Sequence, residues 1–96
     1  MPIPPVAITA APMDVQAIIA SVTGEGDGAV ATFAGLVRDH NLGRRVLFLE
    51  YEAYEALAVK SLARIVAEAG EAWPDTRLAV HHRVGRLEIG DASVAI

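Results

Sequence analysis

The 96-residue sequence contains no cysteine, and Lys60 is the only lysine among its eight basic residues. The absence of cysteine excludes a disulfide framework, a zinc–thiolate site and a thiol nucleophile. Basic residues are not in excess, since the net charge is −4, and this argues against general binding to nucleic-acid phosphates. The sequence also lacks a secretory signal and any apolar run near the roughly 20 residues that span a bilayer. We therefore expect a cytoplasmic protein that binds neither nucleic acid nor membrane.

The apolar content is high for so short a chain, at 53% hydrophobic against 21% charged residues. A single small domain buries only a modest share of its surface, so this composition indicates association or a missing part that covers apolar surface. The last residues, Ser93 to Ile96, are mostly apolar and end in mid-strand by pattern. We expect residues 1–96 to form one domain that is incomplete at its C-terminal end.

Hydrophobic periodicity predicts the element order β-α-β-β-α-β-β. The predicted strands are 6–9, 28–37, 46–52, 77–84 and 92–96, and the predicted helices are 13–22 and 54–73. Segment 28–37 is a continuous apolar run, which favours a central strand buried on both faces. A polar loop would join it to 46–52 in an antiparallel ribbon. The prediction is an α+β fold with two helices packed on one face of an antiparallel-rich sheet.

The polar segment that follows the apolar run, Arg38 to Asn41, is the richest candidate site. A guanidinium at the end of a rigid strand offers a planar, permanently charged fork for a phosphate or a carboxylate. His40 could donate to the same anion or carry a proton. The alternative is that Arg38 pairs with Asp39 or a nearby glutamate and that the loop is merely solvated.

A second cluster, His81-His82-Arg83, raises the question of a metal site. Adjacent histidines on a strand point to opposite faces, and no other candidate ligand stands at a diagnostic spacing, so we predict no metal. The alternative is that these histidines donate hydrogen bonds to the backbone or to a carboxylate. Phe33 stands alone in the middle of a predicted strand, a position typical of the core.

Three segments together resemble the large, catalytic subunit of molybdopterin synthases. Segment 28–43, GAVATFAGLVRDHNLG, is similar to that family's D-G-A-x-x-x-F-x-G-x-V-R-x-H-N-x-G segment. Segment 49–54, LEYEAY, is similar to L-x-Y-E-x-Y, and 82–91 is similar to H-R-x-G-x-L-x-x-G-D. The resemblance covers roughly residues 5–96.

The resemblance implies an α/β-hammerhead type of fold and a central homodimer. It implies a ubiquitin-like small subunit whose C-terminal thiocarboxylate enters a pocket of the large subunit. Sulfur would pass from that thiocarboxylate to cyclic pyranopterin monophosphate and form the dithiolene of molybdopterin. No cofactor and no metal ion is implied.

Carried over by position, Leu36, Val37 and Arg38 would line the substrate pocket, with His40 beside them, and Phe33 would lie near the channel for the small-subunit tail. His82 and Arg83 would support the sheet or the dimer. The family's candidate catalytic lysines lie in a later segment that this sequence does not contain. The catalytic residues are therefore unknown, and we expect the 96-residue chain alone to be inactive.

Two other functions stay open at this point. A truncated, non-catalytic homologue could act as a dimerisation or small-subunit-binding module, as the apolar composition suggests. An unrelated anion- or metal-binding domain of similar layout is the third alternative.

Overall fold

Two helices and eight short strands make up the part of the chain that the computed structural model describes, residues 3–96. The helices are α1 (Val15–Ser21) and α2 (Glu55–Ala72). The strands are β1 (Val6–Thr9), β2 (Ala34–Leu36), β3 (His40–Asn41), β4 (Arg44–Arg45), β5 (Phe48–Tyr51), β6 (Val80–Arg83), β7 (Gly85–Glu88) and β8 (Ala92–Ala95). The predicted α+β class is confirmed.

Helix α1 begins later than its predicted start because Asp14 is its N-cap and not part of its first turn. The Asp14 backbone is extended, and its Oδ1 accepts a hydrogen bond from the Ala17 amide at 3.1 Å. Such a cap satisfies an amide that has no partner within the helix. At the other end, the Ser21 and Thr23 hydroxyls donate to the last carbonyls of the helix.

Helix α2 matches its predicted extent to within one residue at each end, but its apolar face is only partly covered. Ala58, Leu62, Val66 and Ala69 are half-buried, whereas Ile65 and Trp73 are 53% and 65% exposed. No residue of α2 is buried. Residues at helical spacing thus supply the partly covered side of α2, and Ile65 and Trp73 stay in contact with solvent in the described chain.

The main sheet has four strands in the order β1-β6-β8-β2. β1 runs parallel to β6, and the other two pairings are antiparallel. Gly35 in β2 lies opposite Val94 in β8, and a Cβ atom at Gly35 would stand 2.7 Å from Val94 Cγ1. Only glycine allows the two strands to approach this closely.

The prediction of a central, doubly buried strand over 28–37 is wrong. Only Ala34–Leu36 is a strand, and it forms the edge of the sheet, where Leu36 is 63% exposed. A continuous apolar run does not by itself distinguish a buried strand from an extended segment whose side chains face solvent. In this part of the chain, Val37 is the buried residue.

The predicted ribbon between 28–37 and 46–52 is also wrong. β2 pairs with β8, whereas β5 pairs with β7, a strand in a segment where the sequence pattern predicts none. The predicted strand 77–84 is observed as β6 over Val80–Arg83, and Gly85 (φ +84°) turns the chain from β6 into β7. That backbone angle lies in the left-handed region that glycine tolerates.

The core is small, and its main cluster joins Ile18 of α1 with Ala79 and Ala95. Leu87 in β7 is the largest side chain that is fully buried in the described part of the chain. Neither helix within residues 3–96 combines the length and the apolar character needed to cross a membrane.

We predict that Leu87→Ala lowers the free energy of unfolding by about 2–5 kcal/mol, because truncation of a buried leucine leaves a cavity. The matched control is Leu47→Ala, at a position 65% exposed between β4 and β5, which should change the free energy of unfolding by less than about 0.5 kcal/mol. Urea denaturation followed by circular dichroism measures both values. Equal losses in the two variants would contradict the assignment of Leu87 to the core.

Candidate functional site

A cleft of about 260 Å³ lies beside the β3–β4 hairpin and contains the arginine that the sequence singled out. Its lining, called here the Arg38 cleft, consists of Leu36, Arg38, His40, Asn41, Val46, Leu49 and Tyr51. The structure therefore brings together three of the four predicted substrate-binding residues, Leu36, Arg38 and His40. Apolar side chains form one wall of the cleft, and its polar rim includes the Arg38 guanidinium.

Arg38 is held by the backbone of the residue before it. Val37 is 3% exposed; its amide donates to the Asp91 carbonyl at 2.9 Å, and its carbonyl accepts from the Gly90 amide at 2.8 Å. The Arg38 side chain is exposed, and its Nη2 donates to Asn41 Oδ1 at 3.0 Å. A neutral amide thus orients the guanidinium without compensating its charge.

The alternative in which Arg38 pairs with a neighbouring carboxylate is wrong. Asp39 Oδ1 lies 2.9 Å from Nδ1 of His40, and within residues 3–96 no carboxylate oxygen stands within 4.0 Å of the Arg38 guanidinium. A guanidinium carries five N–H donors, so the bond to Asn41 leaves donors for an anion in the cleft. The electrostatics favour an anionic ligand.

A short hairpin, rather than the predicted loop, positions His40 and Asn41 around the arginine. His40 pairs with Arg45 and Asn41 with Arg44, and the Val46 amide closes the base by donating to the Asp39 carbonyl at 2.7 Å. Leu42 and Gly43 form the turn with φ angles of 51° and 75°. Two-residue hairpin turns with positive φ at both positions match the twist of the flanking strands.

Val37 and Phe33 lie outside the set of residues that line the cleft. Val37 is buried, so it contributes through its backbone. Phe33 is 61% exposed, so the interpretation of Phe33 as a core residue is wrong. Its amide and carbonyl both bond to Ile96, at 2.8 Å each, which leaves its ring at the surface beside β2.

Leu49 and Tyr51 are cleft residues that the sequence did not single out. They alternate along β5, so they share one face of that strand. The Tyr51 ring meets the His82 ring edge to face, with centroids 5.3 Å apart and planes at 87°. Alternation of Leu49 and Tyr51 was the signal that could have indicated a shared apolar wall.

The second polar cluster is tied to the backbone. His81 is buried and its Nε2–H donates to the Pro4 carbonyl at 2.7 Å, while Nδ1–H of His82 donates to the Arg83 carbonyl at 2.7 Å. The predicted hydrogen bonds from these histidines to the backbone are thus present. No group of three His, Asp or Glu side chains within residues 3–96 is placed to hold a metal ion.

Comparison with known sequences identifies close relatives. A family model described as MoaE protein matches residues 8–96. The molybdopterin synthase catalytic subunit of Halalkalibacterium halodurans is 47% identical over 90 residues, which cover 94% of this chain and 58% of the relative. That of Bacillus subtilis is 46% identical over 89 residues, which cover 93% and 57%. The chain thus spans less than two thirds of the length of these relatives.

Solved structures agree with the sequence comparison. The X-ray crystal structure of molybdopterin synthase from Staphylococcus aureus superposes with a TM-score of 0.90 at 36% identity, over 97% of this chain and 68% of that chain. The molybdopterin biosynthesis MoaE protein from Burkholderia ambifaria gives a TM-score of 0.79 at 36% identity, over 94% and 59%. The fold described above is therefore the fold of these proteins.

We predict that Leu42→Asn raises the free energy of unfolding by about 1 kcal/mol, because a bulky residue at positive φ is strained and asparagine before glycine suits this turn. Leu42 is 92% exposed, so the change removes little packing. Leu47→Asn, at a position 65% exposed outside the turn, is the control and should give no gain. Urea midpoints measure both, and a loss of stability in Leu42→Asn would contradict the assigned turn.

Proposed function

The chain belongs to the MoaE protein family, and from this membership we propose that it forms part of a molybdopterin synthase catalytic subunit and serves molybdenum cofactor biosynthesis. The observation that carries the proposal beyond family likeness is the Arg38 cleft, with its charge-uncompensated guanidinium and apolar wall. Such a cleft suits a ligand that combines an anionic group with a flat organic ring.

We propose cyclic pyranopterin monophosphate as the substrate of the Arg38 cleft. The guanidinium would bind the cyclic phosphate through paired N–H donors, a geometry that suits phosphate oxygens. His40, whose Nδ1 is engaged by Asp39, would present its other ring nitrogen to the same group. Leu36, Leu49 and Tyr51 would contact the ring system. Val37 would act through the backbone that carries Arg38.

The proposed reaction transfers sulfur from the C-terminal thiocarboxylate of a ubiquitin-like small subunit to this substrate. Each transfer replaces a carbon–oxygen bond of the pterin side chain with a carbon–sulfur bond, and that oxygen leaves as water or with the phosphate. Water then cleaves the carbon–sulfur bond to the small-subunit carbonyl, which leaves a carboxylate on the small subunit. Two transfers give the dithiolene. The exposed ring of Phe33, on the chain just before Leu36, is proposed as a contact for the small-subunit tail.

The residues of the Arg38 cleft are assigned to binding and orientation of the substrate. None of the seven is a lysine, and Lys60 lies on the exposed side of α2. A permanently charged arginine is a poor proton donor or acceptor at neutral pH, so Arg38 would stabilise charge rather than transfer a proton. Self-association into a homodimer is part of the proposal, because apolar residues of α2 such as Leu57 and Ile65 remain exposed.

Those exposed residues are also consistent with a second candidate function. A chain that binds the small subunit and itself, without forming product, would be a non-catalytic binding module. The residues exposed on α2 support binding to a protein equally under either function.

We predict that Arg38→Ala lowers kcat/KM for molybdopterin formation by about 10- to 150-fold, which corresponds to the roughly 1.5–3 kcal/mol of a charged hydrogen-bonded contact. The assay uses the protein expressed from its own gene, thiocarboxylated small subunit and cyclic pyranopterin monophosphate.

The control for this assay is Arg44→Ala, which removes the same charge from β4 outside the Arg38 cleft and should leave kcat/KM within about twofold. Equal losses in the two variants would show that the substrate lies elsewhere. A wild-type protein that binds the small subunit in light scattering but yields no molybdopterin would favour the binding module.

A further inference from the structure

Arg83 carries a largely buried charge outside the Arg38 cleft, and substrate binding does not account for it. Its side chain is 11% exposed, and its Nη1 donates to Asp91 Oδ2 at 3.1 Å. Its Nε is buried and has no hydrogen-bond partner among residues 3–96. A buried guanidinium is costly unless a carboxylate pairs with it, so the position of Arg83 is strongly coupled to that of Asp91.

Asp91 closes the turn between β7 and β8. The same Oδ2 atom accepts from the Glu88 amide at 2.9 Å, and the Asp91 amide donates to the Glu88 carbonyl at 3.1 Å. Gly90, at φ +89°, completes the turn. The carboxylate thus connects the largely buried guanidinium of Arg83 on β6 to the backbone of this turn.

The backbone of the same turn holds Val37, the residue directly before Arg38. The Asp91 carbonyl accepts from the Val37 amide, and the Gly90 amide donates to the Val37 carbonyl. Because both backbone groups of Val37 bind the turn, a shift of the turn moves the start of the Arg38 side chain with it. A path of direct contacts therefore runs from the Arg83 guanidinium to the cleft.

We propose that Arg83 and Asp91 form a positioning pair that sets the location of the Arg38 guanidinium in its cleft. The inference rests on the proposed function and adds two residues to it that do not touch the substrate. A displacement of about 1 Å in a binding group can cost as much as 100-fold in rate, so the pair matters although it lies outside the cleft.

The alternative is that the pair stabilises the junction of β6 with the β7–β8 turn and has no particular effect on Arg38. The two possibilities differ in how two substitutions combine. A pair that acts through Arg38 loses its effect once Arg38 is gone, whereas independent structural effects add in free energy.

The test is a double-mutant cycle on kcat/KM for molybdopterin formation, with Arg83→Met, Arg38→Ala and the double variant. Arg83→Met keeps much of the side-chain length and removes the charge. We expect it to lower kcat/KM by at least about fivefold alone and by less than about twofold in the Arg38→Ala background. The same factor in both backgrounds would overturn the proposal.

If Arg83→Met does not fold, Asp91→Asn takes its place in the cycle. Asparagine keeps a side-chain oxygen for the Glu88 amide and removes the charge that pairs with Arg83, so the same interaction with Arg38→Ala is expected. The control is Arg86→Met on β7, where the guanidinium is 58% exposed and pairs with Glu88. It should leave kcat/KM within about twofold in either background.

Amide hydrogen exchange in the intact protein provides a readout that does not depend on activity. Arg83→Met should speed exchange at the Val37 and Gly90 amides, whereas Arg86→Met should leave both unchanged. Unchanged exchange in Arg83→Met would overturn the inference even if the proposed function holds. Faster exchange together with no effect of Arg38→Ala on kcat/KM would instead show that the positioning exists and that the proposed substrate site is wrong.

Discussion

The two backbone hydrogen bonds between Val37 and the turn at Gly90 and Asp91 are the constraint on which the rest of the site depends. They join the end of an edge strand to a turn some fifty residues later in the chain. Without them, the exposed β3–β4 hairpin that follows β2 would not be anchored at its start. With them, a flexible arginine side chain begins from a buried, fully bonded residue, and the guanidinium of the proposed binding site has a fixed origin.

An irregularity in β2 directs the residues that follow it. Gly35 permits the close approach of Val94, and the register changes directly after it, between Gly35 and Leu36. Irregularities of this kind re-aim the residues that follow, and they are common next to functional sites. Here the residues that follow are Val37, which turns into the protein, and Arg38, which extends into the cleft.

The features that local patterns encode were predicted well. Helical periodicity located α2 to within a residue at each end, and three residues of the polar segment, Arg38, His40 and Asn41, line one cleft. The pairing of β5 with β7 was not predictable in this way, because it depends on strands about 35 residues apart. For that reason the cleft wall formed by Leu49 and Tyr51 was missed.

Segment 28–37 shows why hydrophobicity alone misleads in a chain of this size. An apolar run indicates burial only if the fold supplies a surface to cover it. The sheet has four strands, β2 lies at its edge, and no further strand within residues 3–96 pairs with its outer side. Val30, Phe33 and Leu36 are therefore at least half exposed.

The small core also explains why polar contacts, rather than packing, hold the site in place. Leu87 is the only large side chain that is fully buried in the described chain, so few apolar contacts are available to orient loops. Directional bonds fill that role: Asn41 orients Arg38, Asp39 orients His40, and Asp91 connects Arg83 to the turn. Hydrogen bonds specify geometry, but each adds only about 1 kcal/mol of net stability. A partner that covers the exposed apolar face of α2 would therefore raise the stability of the fold that carries the site. The proposed association would therefore also favour a well-ordered cleft.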